Sequence, residues 1–144
     1  MTDTTHLVMF LQARLTEDEA NAKRAGGDRW IQDGGSIHRE RHETAQVVDW
    51  VYDEAWEHIA RNDPAHVLAD IAAKRRIIEW HSDNPHECEG PQGSEYVADD
   101  DSDPCSTMKA LASVYADHPD YRKEWAAKPT SIHPLARPTD GNTT

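Results

Sequence analysis

Apolar and polar residues follow one another with helical spacing near the start of the chain. The apolar positions are Leu7, Val8, Phe10, Leu11 and Leu15. Positions three or four residues apart share one face of a helix, so this pattern predicts an N-terminal helix with one buried side. Thr4 or Thr5 can cap its start. Residues 16–19 resemble a capping box, which predicts a restart or kink, and the two glycines at 26–27 predict its end.

Short β-prone runs replace the helical period between residues 29 and 51. The apolar residues of these runs are Trp30, Ile31, Ile37, Val47, Val48 and Val51. Gly34 and Gly35 favour a hairpin turn. The pattern predicts two or three antiparallel strands, and the strongly polar middle run, residues 36–42, is expected at an edge of the sheet.

Two further helices are predicted in the centre of the chain. Asp53 is expected to cap a short helix that ends near Arg61. A new helix then begins at Pro64, because Asp63 can cap free N–H groups and proline is favoured at the first helical position. Its apolar side carries Val67, Leu68, Ile71 and Ile78. The basic residues 74–76 are expected near its C-terminal end, where the helix dipole favours cations.

The second half of the chain contains a strongly acidic segment and few apolar residues with helical or strand spacing. The net charge is −12, and residues 81–105 contain eight acidic residues and no Lys or Arg, which predicts a solvated acidic loop. A short helix is expected over residues 106–115 and a helical turn over 119–125. Residues 128–144 contain three prolines and few apolar residues, so a disordered tail is expected after a single domain over residues 1–127.

The composition limits the size of the core. Only 21 of the 144 residues are Leu, Ile, Val or Phe, so the five tryptophans are expected to supply much of the buried surface. The predicted fold class is α+β. The N-terminal helix and the helix that begins at Pro64 are expected to pack on a small antiparallel sheet of two or three strands, with a short C-terminal helix. A large enzyme core is excluded.

Charge and hydropathy also restrict the location and the partners. A net charge of −12 argues against direct binding to nucleic acid. No apolar run approaches the length of a membrane span, and the N-terminus lacks the pattern of a secretion signal. A reducing cytoplasm, with no membrane association, is therefore the expected location, and a disulfide between Cys88 and Cys105 is not favoured there.

Two familiar metal motifs fail on inspection. Residues 99–110 begin like a calcium-binding loop, but its sixth position is Pro104 and its twelfth is Ala110. His42 and Glu43 begin a zinc-protease motif, but the second histidine is replaced by Gln46.

One constellation around the acidic loop is compatible with a metal. His81, His86, Cys88 and Cys105 supply four nitrogen and sulfur ligands of the kind that zinc binds tetrahedrally. A structural zinc ion would also help a domain with so small an aliphatic core. The alternative is a half-buried Cys105 at a helix start, an unconstrained Cys88 and surface histidines.

Other polar residues invite a functional interpretation but favour a structural one. Residues 117–120 (DHPD) follow a predicted helix and are typical of a turn. His58 and His66 flank the break before Pro64, where a capping or packing role is favoured over catalysis.

Two strings resemble an uncharacterised family of small proteins from Streptomyces-type actinobacteria and their phages. They are EHIARNDPAHVL at residues 57–68 and YADHPDYR at residues 115–122, with AKRRII at 73–78 between them. The resemblance covers most of residues 7–125. It implies a variable loop with a Cys pair before a cysteine at the start of the last helix. Cys105 corresponds to that later cysteine, while the upstream pair is reduced to Cys88 with His86 nearby.

Three hypotheses for the function follow. The first is a non-enzymatic phage or prophage accessory protein that binds an unknown protein partner, because the chain shows no catalytic motif and the family brings no activity. The second is an acidic imitation of DNA that inhibits a nucleic-acid-binding protein. The third is a small zinc-dependent hydrolase built on residues 81–105, with Glu87 as its base.

Overall fold

The fold is that of a computed structural model, which describes residues 1–33, 35–49, 55–82, 88–89, 95–96 and 103–126. For residues 42–45, 88–89 and 95–96 the description is confined to the backbone. The elements in chain order are α1 (Asp3–Arg24), β1 (Trp30–Asp33), β2 (Ser36–Arg39), β3 (His42–Val48), α2 (Trp56–Arg61), α3 (Pro64–Ser82), β4 (Cys88–Glu89), β5 (Glu95–Tyr96) and α4 (Ser106–Ala112). Two 3₁₀ turns follow α4, at Ser113–Tyr115 and Lys123–Trp125. The predicted α+β class is confirmed.

Helix α1 is continuous, and its first residues differ from the prediction. The N-cap is Thr2, whose hydroxyl oxygen accepts a hydrogen bond from the backbone N–H of Thr5 at 3.2 Å. Thr4 lies inside the helix and is buried. The restart or kink expected at residues 16–19 is wrong, because α1 continues without a break to Arg24. The Thr16 hydroxyl donates to the carbonyl of Gln12 at 2.7 Å instead of capping a new helix.

The loop after α1 is held to the sheet by an ion pair. The Arg39 guanidinium on β2 donates to the carboxylate of Asp28 at 3.0 Å, and Asp28 is buried. Gly26 makes this contact possible. Its φ is +114°, and a Cβ there would lie 2.5 Å from the guanidinium carbon of Arg39.

Replacing Gly26 with alanine is expected to destabilise the fold by about 2 kcal/mol. The methyl group imposes backbone strain at a positive φ and also displaces Arg39 from Asp28. Gly35 is the matched control, because its φ is +90° but nothing lies within 4 Å of an added Cβ. Gly35→Ala should therefore cost only about 1 kcal/mol, from backbone strain alone. Equal losses in urea unfolding would contradict the role given to Arg39.

The three-stranded sheet has the order β1-β2-β3, with both pairs antiparallel. The hairpin turn predicted between β1 and β2 is confirmed, since Asp33 pairs with Ser36. The edge position expected for residues 36–42 is wrong, because β2 is the central strand. Its Ile37 side chain is fully buried and pairs with Gln32 on β1 and Val48 on β3.

Helix α2 begins at Trp56 after an N-cap at Ala55, which makes no side-chain capping bond. The capping role predicted for Asp53 cannot hold for a helix that starts there, and Asp53 itself lies outside the described residues. The predicted end of this helix at Arg61 is confirmed.

Helix α3 begins at Pro64, as predicted, and extends to Ser82. Residues 74–76 therefore lie in its middle, and the prediction that they complement its C-terminal end is wrong. Lys74 instead pairs with Asp70 on the same helix at 2.6 Å. Arg75 reaches Glu19 on α1, also at 2.6 Å. Hydrogen bonds from Lys23 and Arg75 lower the pKa of Glu19.

The main apolar cluster lies between α1, α3 and the C-terminal segment. Its buried members are Leu7, Phe10, Leu11, Leu15, Ile71, Ile78, Cys105, Met108, Ala112 and Trp125. Helix α1 packs mainly on α3 and α4, whereas the sheet packs mainly against α2. The apolar core is therefore made chiefly by helices.

The tryptophans contribute unequally to this core. Trp125 is buried, Trp30 and Trp56 are half-buried, and Trp80 is 69% exposed. The expectation that the indole rings form the core is thus confirmed for Trp125 and wrong for Trp80. Trp50 lies outside the described residues.

The C-terminal half contains the predicted short helix. Helix α4 and the following 3₁₀ turn together span residues 106–115, and a second 3₁₀ turn lies within residues 119–125. Strands β4 and β5 pair antiparallel within the acidic segment, which the sequence did not predict. Most of the acidic segment and the predicted tail over 128–144 lie outside the described residues. None of the described helices is both long and apolar enough to cross a membrane.

Candidate functional site

An open cavity of about 950 Å³ lies where β1 meets α2 and the start of α3. Its lining is formed by Arg29, Trp30, Ile31, Glu40, Trp56, Glu57, Ala60, Arg61, Asn62, Asp63, Ala65 and His66. The first of the two sequence strings, residues 57–68, supplies seven of these twelve. We refer to this cavity as the tryptophan pocket, after Trp30 and Trp56.

One buried carboxylate joins the strand and the helix on either side of the pocket. Asp63 is 5% exposed, and its Oδ1 accepts a hydrogen bond from the backbone N–H of His66 at 2.8 Å. Its Oδ2 accepts one from the backbone N–H of Trp30 at 3.2 Å. The same side chain therefore caps α3 and binds the first residue of β1. It thereby fixes the distance between α3 and β1, which form two sides of the pocket.

The apolar part of the lining is dominated by two indole rings. Trp30 opens β1 and Trp56 opens α2, and both are half-buried. Ile31 beside them is 38% exposed, and Ala60 and Ala65 add small apolar surfaces. Aromatic residues that stay accessible in a concave site are typical of binding surfaces, because they bury a large area with few rotatable bonds.

The rim of the pocket carries charges of both signs. Arg61 pairs with Glu57 at 2.6 Å on the exposed side of α2, an interaction that solvent largely screens. The backbone N–H of Glu40 donates to the carbonyl of Arg29 at 2.8 Å. Within the described residues, the side chains of Arg29 and Glu40 form no ion pair of their own. Both charges are therefore available to a bound partner.

The ionisable side chains of the lining are those of Arg29, Glu40, Glu57, Arg61, Asp63 and His66. The described lining contains no Ser, Thr, Cys, Lys or Tyr side chain that could act as a nucleophile. Both carboxylate oxygens of Asp63 accept backbone hydrogen bonds. The sequence interpretation of His66 as a capping or packing residue missed its place on the pocket lining. Its backbone N–H is capped, as expected near a helix start.

The second sequence string, residues 115–122, forms a structural contact with α1. The Tyr115 hydroxyl donates to the carboxylate of Asp18 at 2.7 Å, and burial together with this bond raises the Tyr115 pKa. The His118 ring contacts the Arg14 guanidinium and packs edge-on against Phe10, with ring centroids 5.7 Å apart. The predicted turn at residues 117–120 is confirmed, and its role is to attach the C-terminal segment to α1.

Two of the four predicted metal ligands come together. The Nδ1 atom of His81 lies 3.6 Å from the Sγ atom of Cys105. His86 lies outside the described residues, and Cys88 is described only by its backbone, at the start of β4. Among the described side chains, no three His, Cys, Asp or Glu residues are grouped closely enough to hold a metal ion.

Residues 4–127 match DUF6221, a family of unknown function. The chain belongs to this family. The matched range includes the tryptophan pocket, the contact between residues 115–122 and α1, and the His81–Cys105 pair. Comparison with curated proteins and with solved structures finds no match. Membership of DUF6221 confirms the resemblance to an uncharacterised family, and the host range of that family stays a prediction. Any function has to be argued from the geometry.

Proposed function

We propose that this member of DUF6221 is a non-enzymatic binding protein that holds a peptide segment of a protein partner in the tryptophan pocket. The observation that carries the proposal is the open cavity of about 950 Å³ with two half-buried indole rings in its lining. This volume falls at the upper end of the range of ligand pockets, roughly 300–1,000 Å³.

The chemistry of the lining favours a peptide over a small apolar ligand. An apolar ligand would offer no polar or charged group to interact with Arg29, Glu40 and Arg61 at the rim. A peptide combines apolar side chains, which suit the indole rings, with backbone and charged groups of either sign. Trp and Arg are also the residues that most often dominate the binding energy of protein interfaces.

The two alternatives depend on residues that the structure does not describe. An acidic imitation of DNA depends on residues 99–103, of which only Asp103 is described, paired with Lys109 at 2.9 Å. A zinc-dependent hydrolase depends on Glu87 as its base. The tryptophan pocket supports binding through its own geometry, because two half-buried indole rings lie beside a rim with charges of both signs.

The proposed setting is the cytoplasm of a bacterial host, where the protein acts as a phage or prophage accessory factor. The similarity of residues 57–68 and 115–122 to small proteins of actinobacteria and their phages supports this setting. A small protein that acts by occupying a partner needs no catalytic residues, which agrees with the lining of the pocket.

Trp56→Ala is expected to weaken peptide binding roughly 30-fold, as for a central aromatic anchor. Peptides would be selected on the immobilised full chain from a random display library, and their affinities measured by fluorescence anisotropy. Trp80→Ala is the matched control, because Trp80 is 69% exposed on α3 and does not line the pocket. It should leave the affinity unchanged.

Two outcomes would overturn the proposal. One is a library that yields no peptide for the wild-type chain. The other is a set of peptides that bind Trp56→Ala as tightly as wild type, which would place the binding surface elsewhere. Thermal melts of both variants exclude a loss of binding caused by unfolding.

A further inference from the structure

Strand β1 is an outer strand of the three-stranded sheet. It pairs with β2 on one side, and within the described residues no strand pairs with its other side. The side chains of Ile31, Gln32 and Asp33 are exposed. An edge strand presents backbone N–H and C=O groups that its own sheet does not pair, and another chain can bind there by adding a strand.

The backbone groups of Trp30 and Gln32 face this outer edge. In an antiparallel pair, residues that exchange hydrogen bonds with the neighbouring strand alternate with residues whose N–H and C=O groups point away from it. The carbonyl of Arg29 accepts from the backbone N–H of Glu40, directly after β2, at 2.8 Å, so Arg29 faces β2. Trp30 therefore faces the other way, and its N–H donates to Oδ2 of Asp63 at 3.2 Å. The register of β1 with β2 has no bulge, so Gln32 also faces outward.

These outward groups define what a bound chain can pair with. The N–H of Trp30 is occupied by Asp63. The C=O of Trp30 and the N–H and C=O of Gln32 are then the groups to which an added strand can form hydrogen bonds. Three hydrogen bonds of this kind hold an extended segment in a fixed register along β1.

The tryptophan pocket opens along the same edge. Three consecutive residues, Arg29, Trp30 and Ile31, line it, although successive side chains of a strand project to opposite faces of the sheet. A cavity lined by all three lies beside the edge of the strand and not over one of its faces. Gln32 is two residues beyond Trp30, about 7 Å along the strand. A chain that pairs with Gln32 can therefore also place a side chain in the pocket.

We propose that the partner segment binds as an extended strand that pairs with the outer edge of β1 through Trp30 and Gln32. This inference rests on the proposed binding of a peptide in the tryptophan pocket, and it specifies how that peptide is held. Hydrogen bonds between the two backbones supply affinity, and an apolar side chain packed against the indole rings of Trp30 and Trp56 supplies selectivity.

The charges at the two ends of β1 indicate the chemistry of the segment. Arg29 precedes the strand and Asp33 ends it, and both side chains are exposed. Residues four positions apart on a strand project to the same face. A segment with a basic residue opposite Asp33 and an acidic residue opposite Arg29 complements both charges. Antiparallel addition, the arrangement of both pairs in this sheet, places the basic residue four positions before the acidic one.

Gln32→Pro tests the pairing, because proline removes the N–H that the added strand needs. Proline is tolerated on an edge strand where its missing N–H faces outward, so the pairing of β1 with β2 is kept. Peptides selected on the wild-type chain are expected to bind this variant roughly tenfold more weakly in fluorescence anisotropy. Gln32→Ala is the matched control, because it removes the side chain and keeps the N–H. It should leave the affinity unchanged, and thermal melts check that both variants fold.

Methylation of the peptide backbone tests the same contact without altering the protein. Each amide nitrogen of a selected peptide is methylated in turn, and the affinity for the wild-type chain is measured. Only alternate N–H groups of an added strand face β1. Every second methylation is therefore expected to weaken binding at least about tenfold, while those between change it less than about threefold. A helical or irregular peptide gives no such alternation, and this scan decides the question even where Gln32→Pro fails to fold.

The outcomes separate this inference from the proposed function. Peptides that lose affinity with Trp56→Ala, but show neither the Gln32→Pro loss nor the alternation, occupy the pocket without adding a strand and overturn this inference alone. A library that yields no peptide, or peptides that bind Trp56→Ala as tightly as wild type, overturns both.

A second copy of the chain is the other occupant that an open edge accepts. Sedimentation velocity of the wild-type chain is expected to show a monomer. A dimer that Gln32→Pro dissociates and Gln32→Ala does not would mean that β1 pairs with itself, and it would overturn the inference that the edge binds a partner segment.

Discussion

Replacing Trp125 with alanine is expected to lower the free energy of unfolding by about 3–5 kcal/mol. The indole ring is 2% exposed, and its centroid lies 5.2 Å from that of Phe10 on α1. Its N–H donates to the carboxylate of Asp3 at 3.1 Å, so it holds the last described turn against the start of α1. Alanine would leave a large cavity at this contact and release the C-terminal segment.

The measurement is urea unfolding followed by circular dichroism, with a thermal melt in parallel. For a domain of this size the loss corresponds to a melting temperature lower by roughly 10–20 °C. Trp80→Ala controls for the removal of an indole, because Trp80 is 69% exposed and should change stability by less than about 0.5 kcal/mol. Similar losses for the two variants would show that Trp125 is not part of the core.

Asp63→Ala is expected to lower the free energy of unfolding by about 2–4 kcal/mol. Two contributions add because the two carboxylate oxygens have different partners. Loss of the N-cap frees the backbone N–H of His66, and loss of Oδ2 leaves the N–H of Trp30 without its acceptor. The second effect also loosens β1 against α3, so the shape of the tryptophan pocket should change with stability.

Asp63→Asn separates the two contributions. The amide keeps one oxygen, so it can cap α3 but cannot also accept from Trp30. Its loss is expected to be about half that of Asp63→Ala. Hydrogen exchange at the Trp30 amide, followed by NMR, should become faster in both variants. An exchange rate that stays at the wild-type value would contradict the link between Asp63 and β1.

The sequence predicted the start of a helix correctly where the residue at that position favours only one location in a helix. Proline at position 64 after an aspartate begins a helix because proline lacks the N–H that the first turn leaves unpaired. The same logic failed for the Thr residues near the start of α1. Thr2, Thr4 and Thr5 can all cap a helix, and their chemistry does not distinguish among them.

Long-range packing decided the features that the sequence analysis got wrong. Residues 36–39 are mostly polar, yet they form the central strand because two neighbours supply their hydrogen bonds. Trp80 is 69% exposed although it is aromatic, and it takes no part in the apolar cluster formed by α1, α3 and the C-terminal segment. Three consecutive basic residues at 74–76 are typical of a helix C-terminus, but α3 continues to Ser82. The basic residues themselves carry no information about how far the helix extends beyond them.

For the candidate site, too, the sequence identified some of the residues, and only the packing of the elements brought them together. The string at residues 57–68 was recognised from the sequence, but its contribution to a pocket was not, because the opposite wall is formed by Arg29 and Trp30 on another element. The approach of His81 to Cys105 was anticipated from residue type and spacing. Its distance of 3.6 Å depends on how α3 and α4 pack.

The sequence by itself determined the α+β class, the helix that begins at Pro64 and the short final helix. These follow from periodicity and from capping chemistry, both of which act over a few neighbouring positions. The tertiary structure alone decided which tryptophan is buried, which strand is central and that Asp63 joins Trp30 to α3. Such features depend on contacts between residues far apart in the chain, and only packing brings those residues together.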